Sequence, residues 1–122
     1  MSKSELLTVT LGEHHGAIVV AAKGEIDMGT APVLREGLDA AVVRAGAEPM
    51  IVVDLLEVGF LASAGLALLV EYNSRCQDLG GVLRVLSTGG PATRAIEVTA
   101  LDRVLAVFPS LAAITAQRAE SH

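Results

Sequence analysis

Apolar positions in this chain follow two alternating rhythms. From Leu7 to Leu11 they alternate as L-x-V-x-L, the period of a half-buried strand, and Ala17–Ala22 is a second, more continuous apolar strand. Gly12, Glu13, His14, His15 and Gly16 lie between them as a turn, so the pair reads as a hairpin over Leu6–Ala22. Met50–Leu55 reads as a buried strand, because four consecutive apolar residues precede Asp54. Val82–Leu86 and Val104–Phe108 are two further short strands.

Between these lie stretches with helical spacing. Thr30 stands as N-cap and Pro32 in the first turn of a helix running to about Ala45, which Gly46 stops. Leu34, Leu38, Ala41 and Ala45 share one face of it, and Arg35 and Asp39 are placed for a weak surface pair one turn apart. A second helix covers Ala64–Leu79, with Ser63 at its N-cap and Gly80-Gly81 closing it. Steps of about 100° put Gly65, Leu68, Leu69, Tyr72, Cys76 and Leu79 on its core face. Leu66, Ala67, Val70 and Asn73 then fall toward the flank or solvent, where they either meet a neighbouring loop or form a partner surface that begins at Ser63. Ala92–Thr99 and Ser110–Ala119 complete four helices, and the tail from Arg118 is expected to fray.

The order β-β-α-β-α-β-α-β-α predicts an α/β fold: a mixed, mostly parallel sheet of about five strands with about four helices. The loops at Asp27, at Leu61–Ser63 and at Thr88–Pro91 each follow a strand and precede a helix. Parallel strands bring all three to one rim, where open α/β sheets place their sites.

A length of 122 residues suits one domain, with a core over about residues 6–117. Hydrophobic residues make up 52% of the chain but aromatics only 2%, so Val, Leu, Ile and Ala must build the core. A net charge of -5 without a basic run argues against a nucleic-acid binder. One cysteine, Cys76, excludes an internal disulfide and fits a reducing compartment. No apolar run is long enough for a bilayer and no signal-peptide core is present, so a cytoplasmic domain with no membrane partner is expected.

Little here suggests catalysis. Asp54 has no second carboxylate or histidine that the sequence places beside it, and reads as a structural hydrogen-bonding residue. His14 and His15 lack further ligands for a metal, and no cofactor is implied. Gly89-Gly90, with Arg94 following, either cradles a phosphate or simply turns the chain; the P-loop lysine is missing. Asp27 satisfies amides at the start of the first helix, contacts a partner, or does both. Ser63 is either only a helix cap or the site of a charge switch.

Two segments carry a resemblance. Gly24–Pro32, GEIDMGTAP, and Val53–Leu66, VDLLEVGFLASAGL, resemble the signatures of the STAS domain in its anti-anti-sigma factor branch. The likeness spans Leu6 to about Gln117 and is weakest in the last third. It implies a non-catalytic module that binds an anti-sigma factor, a serine kinase of the histidine-kinase-like type, and so frees a sigma factor. Phosphorylation of the motif serine, here Ser63, ends the complex, and a phosphatase restores it. The partner surface would comprise Asp27, Ala62, Ser63, Ala64, Gly65, Leu66, Ala67 and Val70. Ala62 stands where many switch-type members carry aspartate, and offers a kinase no charge. The competing expectation is a non-catalytic STAS subunit of a transporter or a stress-signalling scaffold, with Ser63 a cap only.

Overall fold

The computed structural model describes residues 6–120. Five strands, β1 (Leu7–His14), β2 (Ala17–Ile26), β3 (Met50–Leu61), β4 (Val82–Leu86) and β5 (Ala106–Phe108), lie in the order β1-β2-β3-β4-β5. β1 runs antiparallel to β2, and the other pairs are parallel. Among the described residues four helices connect or follow them: α1 (Ala31–Ala45), α2 (Ser63–Asp78), α3 (Gly90–Val98) and α4 (Leu111–Glu120). β5 begins at Ala106, two residues later than the expected Val104, and a 3-10 turn at Leu101–Arg103 precedes it. Of the tail expected to fray, residues 121 and 122 lie outside the described residues, and the backbone up to Glu120 continues α4. Among the described residues no helix is long and apolar enough to cross a membrane.

The hairpin is tighter than the sequence suggests. β1 continues to His14, which pairs with Ala17, and His15 and Gly16 turn the chain with φ of 48° and 84°. Positive φ at both central residues is the geometry that matches the twist of a two-residue hairpin. Gly24 then admits β1's start: its φ is 124°, and a Cβ there would land on the carbonyl oxygen of Leu6.

Because every parallel crossover advances one strand in the same direction, right-handed connections put α1, α2 and α3 on one face. Ile18, Val20 and Ile26 of β2 and Ile51, Val53 and Leu55 of β3 meet Leu34 and Leu38 of α1, Leu69 and Tyr72 of α2 and Ile96 of α3 in the main core. The opposite face carries a smaller core, where Ile114 and Leu111 of α4 cover Ala17, Val52 and Leu86.

β3 differs most from expectation. It does not end at Leu55 but runs on to Leu61, and two register shifts against β2 give it two extra residues. Inward positions therefore step from Leu55 to Val58 to Leu61, all buried, while Leu56, Glu57, Gly59 and Phe60 are exposed. A bulge leaves ladder groups unpaired. The first is served by Asp54, whose Oδ1 accepts from the Leu56 amide at 2.9 Å, in keeping with the structural role expected for it.

α1 and α2 are pinned together across their middle. Arg35 does not pair with Asp39; it donates to both carboxylate oxygens of Glu71, at 2.8 and 3.1 Å. Asp39 instead accepts from the buried Tyr72 hydroxyl and from Arg75 at 3.2 Å. The guanidinium carbons of Arg35 and Arg75 lie 5.8 and 4.8 Å from the Tyr72 ring centroid. The hydrogen bond from Tyr72, ahead of the one from Arg75, holds Asp39 below the usual carboxylate range. Burial, then the bond to Asp39, pushes the Tyr72 phenol up. Cys76 is buried on the same helix face, as expected, and burial raises its thiol.

Candidate partner-binding site

The parallel ladder that ends with Ile26 opposite Leu61 sets the site. It is extended by one bond, the Ala62 amide donating to the Ile26 carbonyl at 2.8 Å. The loop after β2 and the junction between β3 and α2 thus lie on one rim, as expected, and are also direct neighbours there.

In the first of these, Asp27 organises its own turn. Its Oδ1 accepts from the Gly29 and Thr30 amides at 2.8 and 2.9 Å. The Thr30 hydroxyl accepts from the Asp27 amide at 2.9 Å and donates to the Glu25 carbonyl at 2.8 Å. Thr30 does occupy the N-cap of α1, yet its side chain makes no capping bond. The carboxylate of Asp27 ties the turn that precedes the helix, while backbone carbonyls take the first helical amides, Ala31 to Asp27 at 2.8 Å and Val33 to Thr30 at 2.9 Å, so the local reading of Asp27 is the one the geometry displays. Met28, at the tip of this turn, is 83% exposed.

At the second junction the N-cap is Ala62, in extended conformation with φ -88° and ψ 172°, and not Ser63. Ala62 accepts from the Gly65 and Leu66 amides at 3.0 and 3.1 Å through its carbonyl. Ser63 is the first helical residue. It is exposed, and its hydroxyl has no hydrogen-bond partner among the described residues. The first turn of α2 contains no acidic side chain, so only free amides and the helix dipole face an anion there.

The residues expected on the partner surface divide. Ser63 and Ala67 are exposed, Ala62, Ala64 and Val70 half-buried. Ser63, Ala67 and Val70 follow one another at i, i+4 and i+7, a single outward stripe. Leu66, by contrast, is buried to 6% exposure within the main core, and Asn73 is buried as well. Leu79, assigned to the core, is 51% exposed. Position explains both outcomes: Leu66 and Asn73 lie on the middle one of three helices on one face, which is covered beyond a single stripe, whereas Leu79 is the C-cap residue past the last turn of α2. Gly65 is also buried, and it makes room for side chains and not for backbone. A Cβ there would sit 2.5 Å from Ile26 Cγ2 and 2.6 Å from Leu61 Cδ1.

Two apolar depressions flank Ser63. A groove of about 670 Å³ runs between the first turns of α1 and α2, with Met28 at its mouth and Ala64, Ala67 and Leu68 along one wall. A smaller one of about 300 Å³ lies between the end of β3 and α3, lined by Phe60, Pro91, Arg94 and Val98 among others. Met28, Phe60 and Arg94 were given no partner role by the sequence. The available signal was an apolar Met and Phe in rim segments of a chain with three Met and two Phe. Gly89 and Gly90 have φ of 58° and 72°, and the Ser87 and Thr93 hydroxyls meet at 2.5 Å, so this loop is a tight turn into α3. Among the described residues no group of three or more His, Cys, Asp or Glu is placed to hold a metal.

The one-way strand order, the antiparallel first strand and the serine-headed middle helix define a particular class of α/β domain. The chain belongs to the STAS domain family, which matches residues 8–114. It is 33% identical over 113 residues to the anti-sigma-F factor antagonist RsfB of Mycobacterium tuberculosis, covering 91% of this chain and 88% of that protein. An anti-sigma F factor antagonist of Paenibacillus polymyxa is 26% identical over 102 residues, 84% of this chain and 86% of its own length. The crystal structure of an anti-sigma factor antagonist from Mycobacterium paratuberculosis superposes with a TM-score of 0.82 at 35% identity, over 97% of this chain and 99% of that one.

Proposed function

We propose that this chain is an anti-sigma factor antagonist, a non-catalytic cytoplasmic module that binds an anti-sigma factor through the surface around Ser63 and so releases a sigma factor. Phosphorylation of Ser63 by the partner, a histidine-kinase-like serine kinase, ends the complex, and a phosphatase restores it. The observation that carries this reading is Ser63 itself. Its hydroxyl is exposed at the head of α2, has no internal hydrogen bond to lose among the described residues, and stands among small or apolar neighbours. The names of the relatives that match over most of the chain point the same way.

The physics is asymmetric. A phosphoryl group adds about -1.5 to -2 charges. The free amides at the start of α2 accommodate it, so the fold survives. A partner packed on Ala64, Ala67 and Val70 would have to desolvate that charge, and a loss of about 3 kcal/mol weakens binding roughly a hundredfold. Asp27, tied to its own amides, adds a fixed negative charge in the neighbouring loop. Ala62 contributes no charge, so kinase recognition rests on shape and backbone at this point.

The test compares wild type, Ser63→Ala and Ser63→Glu in pull-downs with purified histidine-kinase-like anti-sigma factors, alongside mass spectrometry after incubation with kinase and ATP. Retention of wild type and Ser63→Ala, release of Ser63→Glu and a phosphorylated Ser63 peptide are expected. Equal retention of all three, or no modified peptide, removes the switch. Copurification with a transporter subunit in place of any anti-sigma factor replaces the function.

A further inference from the structure

The groove between α1 and α2 is open for a reason visible in its walls. Where the two helices face each other near their N-termini, the side chains are short: Ala31, Pro32 and Val33 on α1, Ala64 and Ala67 on α2. Large side chains meet only further along, at the Arg35–Glu71 pair that forms the far end of the groove. The gap of about 670 Å³ between them is thus an unfilled contact between helices, floored by the buried Leu68. Its mouth holds Met28, unbranched, adaptable and almost fully exposed.

Three features select an occupant. First, the groove is continuous with the surface assigned to partner binding, since Ala64 follows Ser63 directly and Ala67 lies one turn on. Second, its walls are apolar, so they favour an apolar side chain over water. Third, its charged lip is unbalanced. Arg35 and Glu71 neutralise each other bidentately, and Arg35 is held firmly protonated by Glu71 and then the Tyr72 hydroxyl. Glu36, on the same lip, makes no ion pair among the described residues and is exposed. The whole chain is acidic as well, with a net charge of -5.

From these we infer that the groove receives one large aliphatic or aromatic anchor side chain of the anti-sigma factor, with a Lys or Arg of that partner close by to meet Glu36. The inference rests on the proposed function and deepens it: Ser63 carries the switch, whereas the α1–α2 groove carries the affinity and part of the partner selection. It also explains how a charge at Ser63 reaches the whole interface. A phosphate there lies beside the groove's mouth, where the anchor has to be stripped of water.

Filling the groove from this side tests the inference. Ala67 is exposed, so Ala67→Leu leaves the core untouched, and unchanged thermal unfolding verifies the fold. The probe is a purified histidine-kinase-like anti-sigma factor that retains the wild-type chain and releases Ser63→Glu. Ala67→Leu is expected to weaken its binding at least about tenfold, the scale of one displaced apolar anchor. Glu36→Lys is expected to weaken it severalfold, more at low salt than at high salt. Wild-type affinity in both variants, with Ser63→Glu still released, overturns the groove while leaving the function standing. If no anti-sigma factor retains the wild-type chain, the functional reading fails first and takes this inference with it. A wild-type dimer that Ala67→Leu dissociates would make a second copy the occupant and also refute it.

Discussion

Gly65→Ala adds one methyl at the point where α2 leaves the sheet, and the structure sets its cost. The new Cβ would lie 2.5 Å from Ile26 Cγ2 and 2.6 Å from Leu61 Cδ1, both well inside contact distance. Leu61 Cδ1 is the far end of a flexible side chain and can swing aside. Ile26 Cγ2 is a branched methyl fixed to a buried strand, fully covered, and cannot. Overpacking of this kind costs about 1–3 kcal/mol. Alanine returns up to about 1 kcal/mol of helix propensity, less in a first turn than in a helix interior. A net loss of about 1–2 kcal/mol follows, against a total stability of about 5–15 kcal/mol. For a domain of this length that lowers Tm by about 4–10 °C. Urea unfolding followed by far-ultraviolet circular dichroism measures it directly. A double-mutant cycle separates clash from propensity: in an Ile26→Ala background, where the branched methyl is gone and Leu61 has space, Gly65→Ala is expected to be neutral or stabilising. If Gly65→Ala is as stable as wild type on its own, or costs the same in both backgrounds, the steric account of this position is wrong.

Gly24→Val combines a positive φ of 124° with a collision against the Leu6 carbonyl, so it is expected to cost about 3–4 kcal/mol and to expose β1 amides in hydrogen exchange. Tyr72 is the only tyrosine in a chain without tryptophan, so phenolate absorbance titrates it alone. Its folded pKa is raised, so the stability it gives is present below the unfolded value of about 10 and is lost as pH rises through the folded value. Titration of the native protein is therefore expected to lag behind that of the urea-unfolded chain, and coincident curves would contradict the buried bond to Asp39.

The order of strands and helices was legible because the two hydrophobic periods rarely overlap in this chain. The rim followed from that order alone, whereas the adjacency of the Asp27 loop with the start of α2 needed the pairing of β2 with β3, which the element order leaves open. What escaped had specific causes. β3 looked finished at Leu55 because its inward positions change from every second to every third residue, and Leu55, Val58 and Leu61 read as neither strand nor helix. Leu66 and Asn73 looked exposed because a stripe argument assumes one covered flank, whereas α2 has two. Arg35 and Asp39 looked like partners because one helix was considered without its neighbour. Ser63 looked like a cap because serine favours that place, yet the carbonyl of Ala62 takes the two amides. The groove could not be seen at all, since small residues in a sequence show nothing of the space that facing helices leave between them.

The strand order also bears on how the molecule is made. Every strand pairs with the one synthesised just before it, so no pairing waits for a distant segment of chain. The hairpin of β1 and β2 can form first, and each following helix and strand docks on an edge already in place. Loop closure stays short at every step, which favours rapid folding for a mostly parallel sheet. Only α4 departs from this progression, since it crosses to the other face and closes the small core on Ala17, Val52 and Leu86. That face stays wet until α4 has been made and docks, after the sheet it covers is already in place.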